Sequence, residues 1–346
     1  MQALILAGGK GTRLRPLTVY TPKPIVPILN RPLLQYQLEI LRRAGITDIT
    51  LSLSYQPNKI EDVIGDGSEL GVSLRFVTEP HPMGTAGAYK FAAESTRNTT
   101  IVFNGDILTD IDVATVIETH AKAKAEATIV LAPVADPSKF GLVETDADGR
   151  VMRFLEKPSA ETIAQLETKN INAGLYVLEP TLLDRIPAKE NYSFEYDVFP
   201  SLIKDRVPFV AHVLSSAYWR DVGTPESYLA AHQDFLGGKI GHFFDPEDVV
   251  SDIATTANID TASITGEGCV IKPGARIVNS VLGPGVHVDE KASIANSVVW
   301  AHTRISGATE IEGAIIGKSC YIGRNCSVRP GTVLGDKTSL PDYSRT

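Results

Sequence analysis

The amino-acid sequence predicts an α/β domain with a doubly wound, mostly parallel sheet, followed by a parallel β-helix. Two patterns carry this. Up to about residue 235, short β-rich runs alternate with longer amphipathic segments, as strands joined by crossover helices do. Further on, four windows of 17 residues, starting at Ile264, Val281, Val298 and Ile315, align without a gap. Within each window aliphatic residues return every six positions, unlike the ~3.6 of a helix or the ~2 of a simple hairpin array. Such a coil is too thin to bury its own face, so stacking must supply the core. The organisation expected is a domain over 1–235, a connector over 236–258 and a β-helix over 259–346. The connector holds Gly237-Gly238 and the acidic stretch Asp245-Pro246-Glu247-Asp248.

Strands are predicted over residues 3–7, 49–54, 74–78, 100–104, 127–134, 174–178 and 209–213. A helix is predicted over 33–44, where Leu34, Leu38 and Leu41 repeat on one face and Gly45 ends it as a C-terminal cap. In the tail, small residues fill two columns: Cys269, Val286, Thr303 and Cys320, then Ala275, Ala292, Thr309 and Cys326. The three cysteines therefore read as inward corner fillers. They form neither a disulfide framework nor a metal-site spacing. A reducing cytoplasm is the expected compartment.

A length of 346 residues is ample for two domains, and 43% hydrophobic with 21% charged residues is an ordinary globular balance. Against 41 Asp+Glu stand 33 Lys+Arg, a net charge of -8 without a basic block. No nucleic-acid partner is expected, since that affinity comes from clustered cations. Apolar runs fall short of the ~20 residues that span a bilayer, so no membrane partner is expected. The start, Met1-Gln2-Ala3-Leu4-Ile5-Leu6-Ala7, reads as a strand and not as a signal peptide.

Ligands of such sheets bind beyond the carboxyl ends of the strands. There the first strand runs into Leu6-Ala7-Gly8-Gly9-Lys10-Gly11-Thr12-Arg13. Three glycines in four residues let backbone N–H groups converge on an anion. Thr12 adds a hydroxyl donor and Arg13 a planar fork suited to phosphate oxygens. Thr21-Pro22-Lys23-Pro24 then holds a lysine between two prolines. The P-loop and the dinucleotide fingerprint are excluded by spacing, because positions 4 and 14 are Leu where each would need Gly.

Together with Gly84-Thr85-Ala86-Gly87, Asn104-Gly105-Asp106, Phe154-Leu155-Glu156-Lys157-Pro158, Asn172-Ala173-Gly174-Leu175-Tyr176 and Trp219-Arg220-Asp221-Val222-Gly223-Thr224, the loop resembles the signature of the sugar-1-phosphate nucleotidylyltransferases. The tail resembles the subset with hexapeptide repeats, most of all mannose-1-phosphate guanylyltransferases. The resemblance implies a Rossmann-like catalytic domain, a left-handed β-helix and a homo-oligomer, a dimer or tetramer. It implies joining of a hexose 1-phosphate to a nucleoside triphosphate with release of pyrophosphate, assisted by Mg²⁺.

By the same resemblance Leu6, Ala7, Gly8, Gly9, Gly11, Thr12, Gly84 and Thr85 would receive the nucleotide. Arg13 would neutralise the leaving pyrophosphate and Lys23 would reach the α-phosphate. Asp106 and Asp221 would hold the metal. Lys157 would hold the sugar phosphate, with Gly105, Gly141, Glu156, Asn172, Gly174 and Glu195 around the sugar. Glu79 precedes Gly84 by five positions, where relatives using thymidine or uridine triphosphates carry Gln. A carboxylate only accepts hydrogen bonds, matching the adjacent N1–H and N2 donors of guanine. GTP is therefore the expected nucleotide, and Asn104 also resembles the guanylyl branch. His81 and Met83 depart from the acidic and Leu residues usual there. Mannose rests on the resemblance alone.

Three alternatives stand beside this reading. One is a glucose-1-phosphate thymidylyl- or uridylyltransferase. Another is a silent sugar-nucleotide-sensing subunit, which should lack Arg13, Lys23 or one metal carboxylate. The third is acyl transfer by the β-helix, but His287 and His302 occupy different columns and about four coils is short for it.

Overall fold

The computed structural model describes residues 1–93, 96–244 and 249–346; the acidic stretch Asp245-Pro246-Glu247-Asp248 lies outside the described residues. The chain groups into two compact units, one of Met1–Gly9 with Leu34–Trp219, the other of Lys10–Leu33 with Arg220–Thr346. The segment holding Arg13 and Lys23 thus belongs with the β-helix.

Among the described residues the first unit holds a nine-stranded sheet. Gln2–Leu6 lies between Thr100–Asn104 and Asp48–Leu53, and Ser73–Thr78 follows as the edge, all four parallel. Their carboxyl ends deliver Ala7-Gly8, Asn104-Gly105-Asp106, Ser54 and Glu79, which is why the first unit's site residues gather beyond that edge. The sheet is mixed and not mostly parallel. Asn170–Leu178 runs antiparallel to Thr100–Asn104, Ala127–Pro133 and Gly141–Thr145, and the last of these pairs antiparallel with Val151–Glu156. Phe209–Val213 closes the other side, parallel to Ala127–Pro133.

The predicted helix occupies Leu33–Arg43, with Leu34, Leu38 and Leu41 at 0% exposure, and Gly45 adopts φ +75° just past its end. The core joins Leu4, Val102 and Tyr176 to Phe194, Phe199 and Phe209. Phe194 and Phe199 stack with centroids 5.5 Å apart. Each such ring removed from water contributes about 2–3 kcal/mol, and aromatic pairing adds about 1 kcal/mol.

In the second unit the tail winds as three parallel sheets. One runs Ile264–Thr265, Val281–Leu282, Val298–Val299, Ile315–Ile316, Val333–Leu334. Its register pairs Ile264 with Val281, Val281 with Val298 and Val298 with Ile315, the predicted windows residue for residue. The next step pairs Ile315 with Val333 and is one residue longer (333 − 315 = 18). Both small-residue columns face inward: Cys269, Val286, Thr303, Ala275, Ala292, Thr309, Cys320 and Cys326 are all at most 2% exposed. Thr303 and Cys269 also donate to carbonyls of the next coil, at Gly317 and Gly283. No described helix is long and apolar enough to cross a membrane.

Candidate active site

In the second unit the glycine-rich loop closes on itself. Gly11 takes φ +60°, a conformation that disfavours any side chain, and a Cβ there would lie 3.1 Å from Lys23 Cβ. Its carbonyl accepts from Leu14 N at 3.1 Å and from Thr18 Oγ1 at 2.6 Å, so Thr12–Leu14 forms one helical turn. That turn carries Thr12 and Arg13. Lys23 begins another single turn, Lys23–Ile25, between its two prolines.

Both cations face one carboxylate. Arg13 Nη2 lies 3.7 Å from Asp221 Oδ2, and Lys23 Nζ lies 3.8 Å from Asp221 Oδ1. These separations exceed a direct hydrogen bond, so the two cations meet the carboxylate by charge and not by a tight contact. Lys23 is nearly enclosed, its side chain 10% exposed, whereas Arg13 is 63% exposed. An exposed arginine beside an enclosed lysine suits a ligand that arrives from solvent. Gly223 is part of this geometry: a Cβ there would lie 2.8 and 2.9 Å from the two Asp221 oxygens and 3.0 Å from Arg13 Nη2. Nothing in the sequence spacing signals that role for Gly223, although it stands in Trp219-Arg220-Asp221-Val222-Gly223-Thr224.

In the first unit, Ala7 N donates to Ser52 O at 2.8 Å, extending the strand past Leu6. Gly8 then passes Glu79, where a Cβ would come within 2.8 Å of Oε1, while Ser54 donates to the Gly8 carbonyl. Among the described residues none comes within 4 Å of a Cβ added at Gly9. Glu79 accepts from Ser52 Oγ at 3.1 Å and from Met83 N–H at 3.3 Å. Burial pushes its carboxyl above the usual range, with these two bonds opposing. Ser52 and Ser54, which fix this corner, carried no sequence signal.

Gly84, at φ +71°, opens helix Gly84–Ala92, and a Cβ would strike the Tyr192 carbonyl at 2.5 Å. That carbonyl accepts from Ala86 N and Gly87 N, both at 2.9 Å. Thr85 Oγ1 donates to Glu195 Oε2 at 2.8 Å and accepts from Phe194 N at 2.9 Å. A residue assigned to the nucleotide thus touches one assigned to the sugar.

Asn172 Oδ1 accepts from Gly174 N at 2.9 Å, and its amide donates to the Tyr176 hydroxyl at 2.8 Å. Gly141 packs under Glu156, where a Cβ would meet Oε2 at 3.0 Å. Burial raises the Glu156 carboxyl; Lys157 lowers it and the Glu195 charge adds to the rise. Lys157 stands exposed, its Nζ 3.5 Å from Glu156 Oε1. Gly105 binds Leu6 O through its N–H at 2.9 Å and presents Asp106 beyond the strand. Among the described residues no group of three or more His, Cys, Asp or Glu converges to hold a metal ion.

The described geometry gathers two sets: Arg13, Lys23 and Asp221 with Gly11 and Gly223 in one unit, and the carboxylates, amides and strand-end glycines in the other. Comparison with known proteins matches both parts of the chain. Residues 2–237 match the Nucleotidyl transferase family and residues 241–344 the EIF2B subunit epsilon LbH domain. A mannose-1-phosphate guanylyltransferase of Mycobacterium tuberculosis is 39% identical, over 84% of this chain and 81% of its own length. A mannose-1-phosphate guanyltransferase of Pichia angusta is 33% identical, over 99% and 93%. A UTP--glucose-1-phosphate uridylyltransferase of Synechocystis is also 33% identical, over 92% and 88%. A candidate glucose-1-phosphate thymidylyltransferase from Bacillus anthracis, solved by crystallography, shares the fold with a TM-score of 0.61 at 24% identity, over 70% of this chain and 97% of its own. With a family match across most of its length and such relatives aligned nearly end to end, the chain belongs to the nucleotidyl transferase family and carries a left-handed β-helix behind its catalytic region.

Proposed function

We propose that the chain joins mannose 1-phosphate to GTP, giving GDP-mannose and pyrophosphate. The observation that carries the transfer is the open Arg13–Lys23–Asp221 cluster on a glycine turn. In this reaction an oxygen of the sugar phosphate attacks the α-phosphorus, and the bond to the bridging β-oxygen breaks. The nucleophile is already an anion, so no base is needed; the demand is to bring two repelling polyanions together. The glycine-lined backbone receives the triphosphate. Lys23 meets the charge that grows on the α-phosphate, and Arg13 follows the departing pyrophosphate. Glu156, Asn172 and Glu195 take the sugar hydroxyls and Lys157 its phosphate.

Asp106 and Asp221 are the proposed ligands for Mg²⁺. Carboxylate oxygens are the donors this hard ion takes, and one or two of them with phosphate oxygens and water complete its usual shell. The donor set fits. When bound, the ion would neutralise phosphate charge that the two cations leave uncovered.

Glu79 supports GTP. Each of its oxygens accepts one internal hydrogen bond and keeps acceptor capacity for the paired N–H donors of guanine. The 33% identity to a UTP-using relative favours a second reading, uridylyl transfer to glucose 1-phosphate. Pyrophosphate release from the four triphosphates, crossed with mannose and glucose 1-phosphates, with and without Mg²⁺, decides between them. GTP with mannose 1-phosphate should give the highest kcat/KM. A preference for UTP or dTTP would remove the base assignment, and no release from any pair would remove the transferase reading.

A further inference from the structure

The β-helix and the loop bearing Arg13 and Lys23 share one unit, and their links converge on helix Pro225–Leu236. Tyr228, fully buried on that helix, accepts a hydrogen bond from Trp300 Nε1 at 2.8 Å and donates its own proton to the Pro27 carbonyl. An indole N–H only donates and a phenol has one proton, so the polarity of this relay is fixed. Trp300, 4% exposed, belongs to the β-helix. Pro27 opens the short strand Pro27–Ile28, paired with Arg31–Pro32, immediately after the turn that carries Lys23. The hairpin is tied to the β-helix again by Asn30 Nδ2, which donates to Leu282 O at 2.9 Å. At its start the same helix holds Asp221: the Ser227 hydroxyl donates to the Asp221 carbonyl. One helix is therefore bonded to the hairpin that follows the lysine turn, to the main chain of the residue whose carboxylate faces that lysine, and to the β-helix.

We propose that Trp300 and Tyr228 are positioning residues, and that through them the β-helix sets where Lys23 stands relative to Asp221. This rests on the transfer reading above. Lys23 acts on charge that develops in the transition state, so displacing it lowers kcat more than it raises KM. A relay that merely stabilised the fold would lower the melting temperature without that split.

The test uses the full chain with Trp300→Phe, Tyr228→Phe, their double variant, and Ile277→Val, which thins the β-helix core without touching the relay. Tyr228→Phe should lower kcat by about 10- to 100-fold, with both KM values within about threefold. Trp300→Phe should lower kcat by about 3- to 10-fold, and the double variant should match Tyr228→Phe alone, because Trp300 acts through Tyr228. Ile277→Val should keep kcat within about twofold despite a lower melting temperature. A Tyr228→Phe enzyme with wild-type kcat would overturn the proposal. So would multiplicative effects in the double variant, or an equal kcat loss in Ile277→Val. Should the wild-type chain turn over no sugar phosphate at all, the transfer reading has failed, and amide exchange over residues 23–33 still decides the relay. Faster exchange in Tyr228→Phe supports it, and unchanged protection overturns it.

Discussion

Replacing Glu79 with Gln perturbs the base site at the atom that carries the assignment. The wild-type carboxylate accepts from Ser52 Oγ at 3.1 Å and from Met83 N–H at 3.3 Å. Gln can keep both contacts: its carbonyl takes the Met83 N–H, and its amino group faces the Ser52 hydroxyl, which turns to accept. Stability should therefore change by no more than about 0.5 kcal/mol. What is lost is one acceptor opposite the N1–H and N2 pair of guanine. Two opposed donors in a half-buried site cost about 1–3 kcal/mol, or about 5- to 150-fold in kcat/KM for GTP. Uracil, whose N3–H lies between acceptors, should be used better than before. Burial also raises the Glu79 carboxyl, so GTP use should fall on the acid side at a higher pH than an ordinary carboxylate would give, and Glu79→Gln should flatten that limb. Initial rates with each triphosphate at a fixed mannose 1-phosphate concentration measure all of this. An unchanged ratio of GTP to UTP in Glu79→Gln would show that Glu79 does not read the base.

Gly223→Ala should lower kcat by at least about tenfold with little change in melting temperature, since its Cβ would press on both Asp221 oxygens and on Arg13; steady-state kinetics beside thermal melts will show whether the two separate. Asp106→Asn and Asp221→Asn should each lower kcat by about 100-fold or more and raise the Mg²⁺ concentration needed for half-maximal rate, read by titrating the ion. His232 is completely buried, which pushes its pKa down to about 4 from 6.5. The unfolded chain takes up that proton first, so stability is full above about pH 6.5 and falls towards pH 4, by about 3 kcal/mol from this group. Denaturant unfolding at pH 7 and 4.5 should show the loss, and a His232→Gln chain should lack that part of the slope.

The β-helix was legible because each coil repeats the same demand: one small residue at the corner and one aliphatic residue inward, every six positions. The pairing of Ile264 with Val281 and Val298 follows directly, whereas the longer step from Ile315 to Val333 breaks the period and could not be counted. Sheet direction was less legible. Nothing in Asn170–Leu178 reveals that it runs against its neighbours, because a strand's own residues do not encode the orientation of its partner. Gly141–Thr145 and Val151–Glu156 are not among the strands expected from the sequence; in the latter, exposed Met152 and Arg153 hide the alternation. At the site, spacing exposed the glycines but not their separate reasons: Gly11 is set by its backbone angle, Gly8 by Glu79, and Gly9, among the described residues, by no neighbour within 4 Å. Gly223 stayed hidden because Arg13, which it accommodates, lies 210 positions earlier (223 − 13).

In the proposed mechanism Lys23, enclosed beside Asp221, stabilises the charge that builds on the α-phosphate. Single-turnover pyrophosphate release by Lys23→Ala, with GTP, mannose 1-phosphate and Mg²⁺ all saturating, tests it most directly. The account predicts a rate about 100- to 1,000-fold below wild type with GTP affinity changed by less than about tenfold. Release within a few fold of the wild-type rate would contradict it.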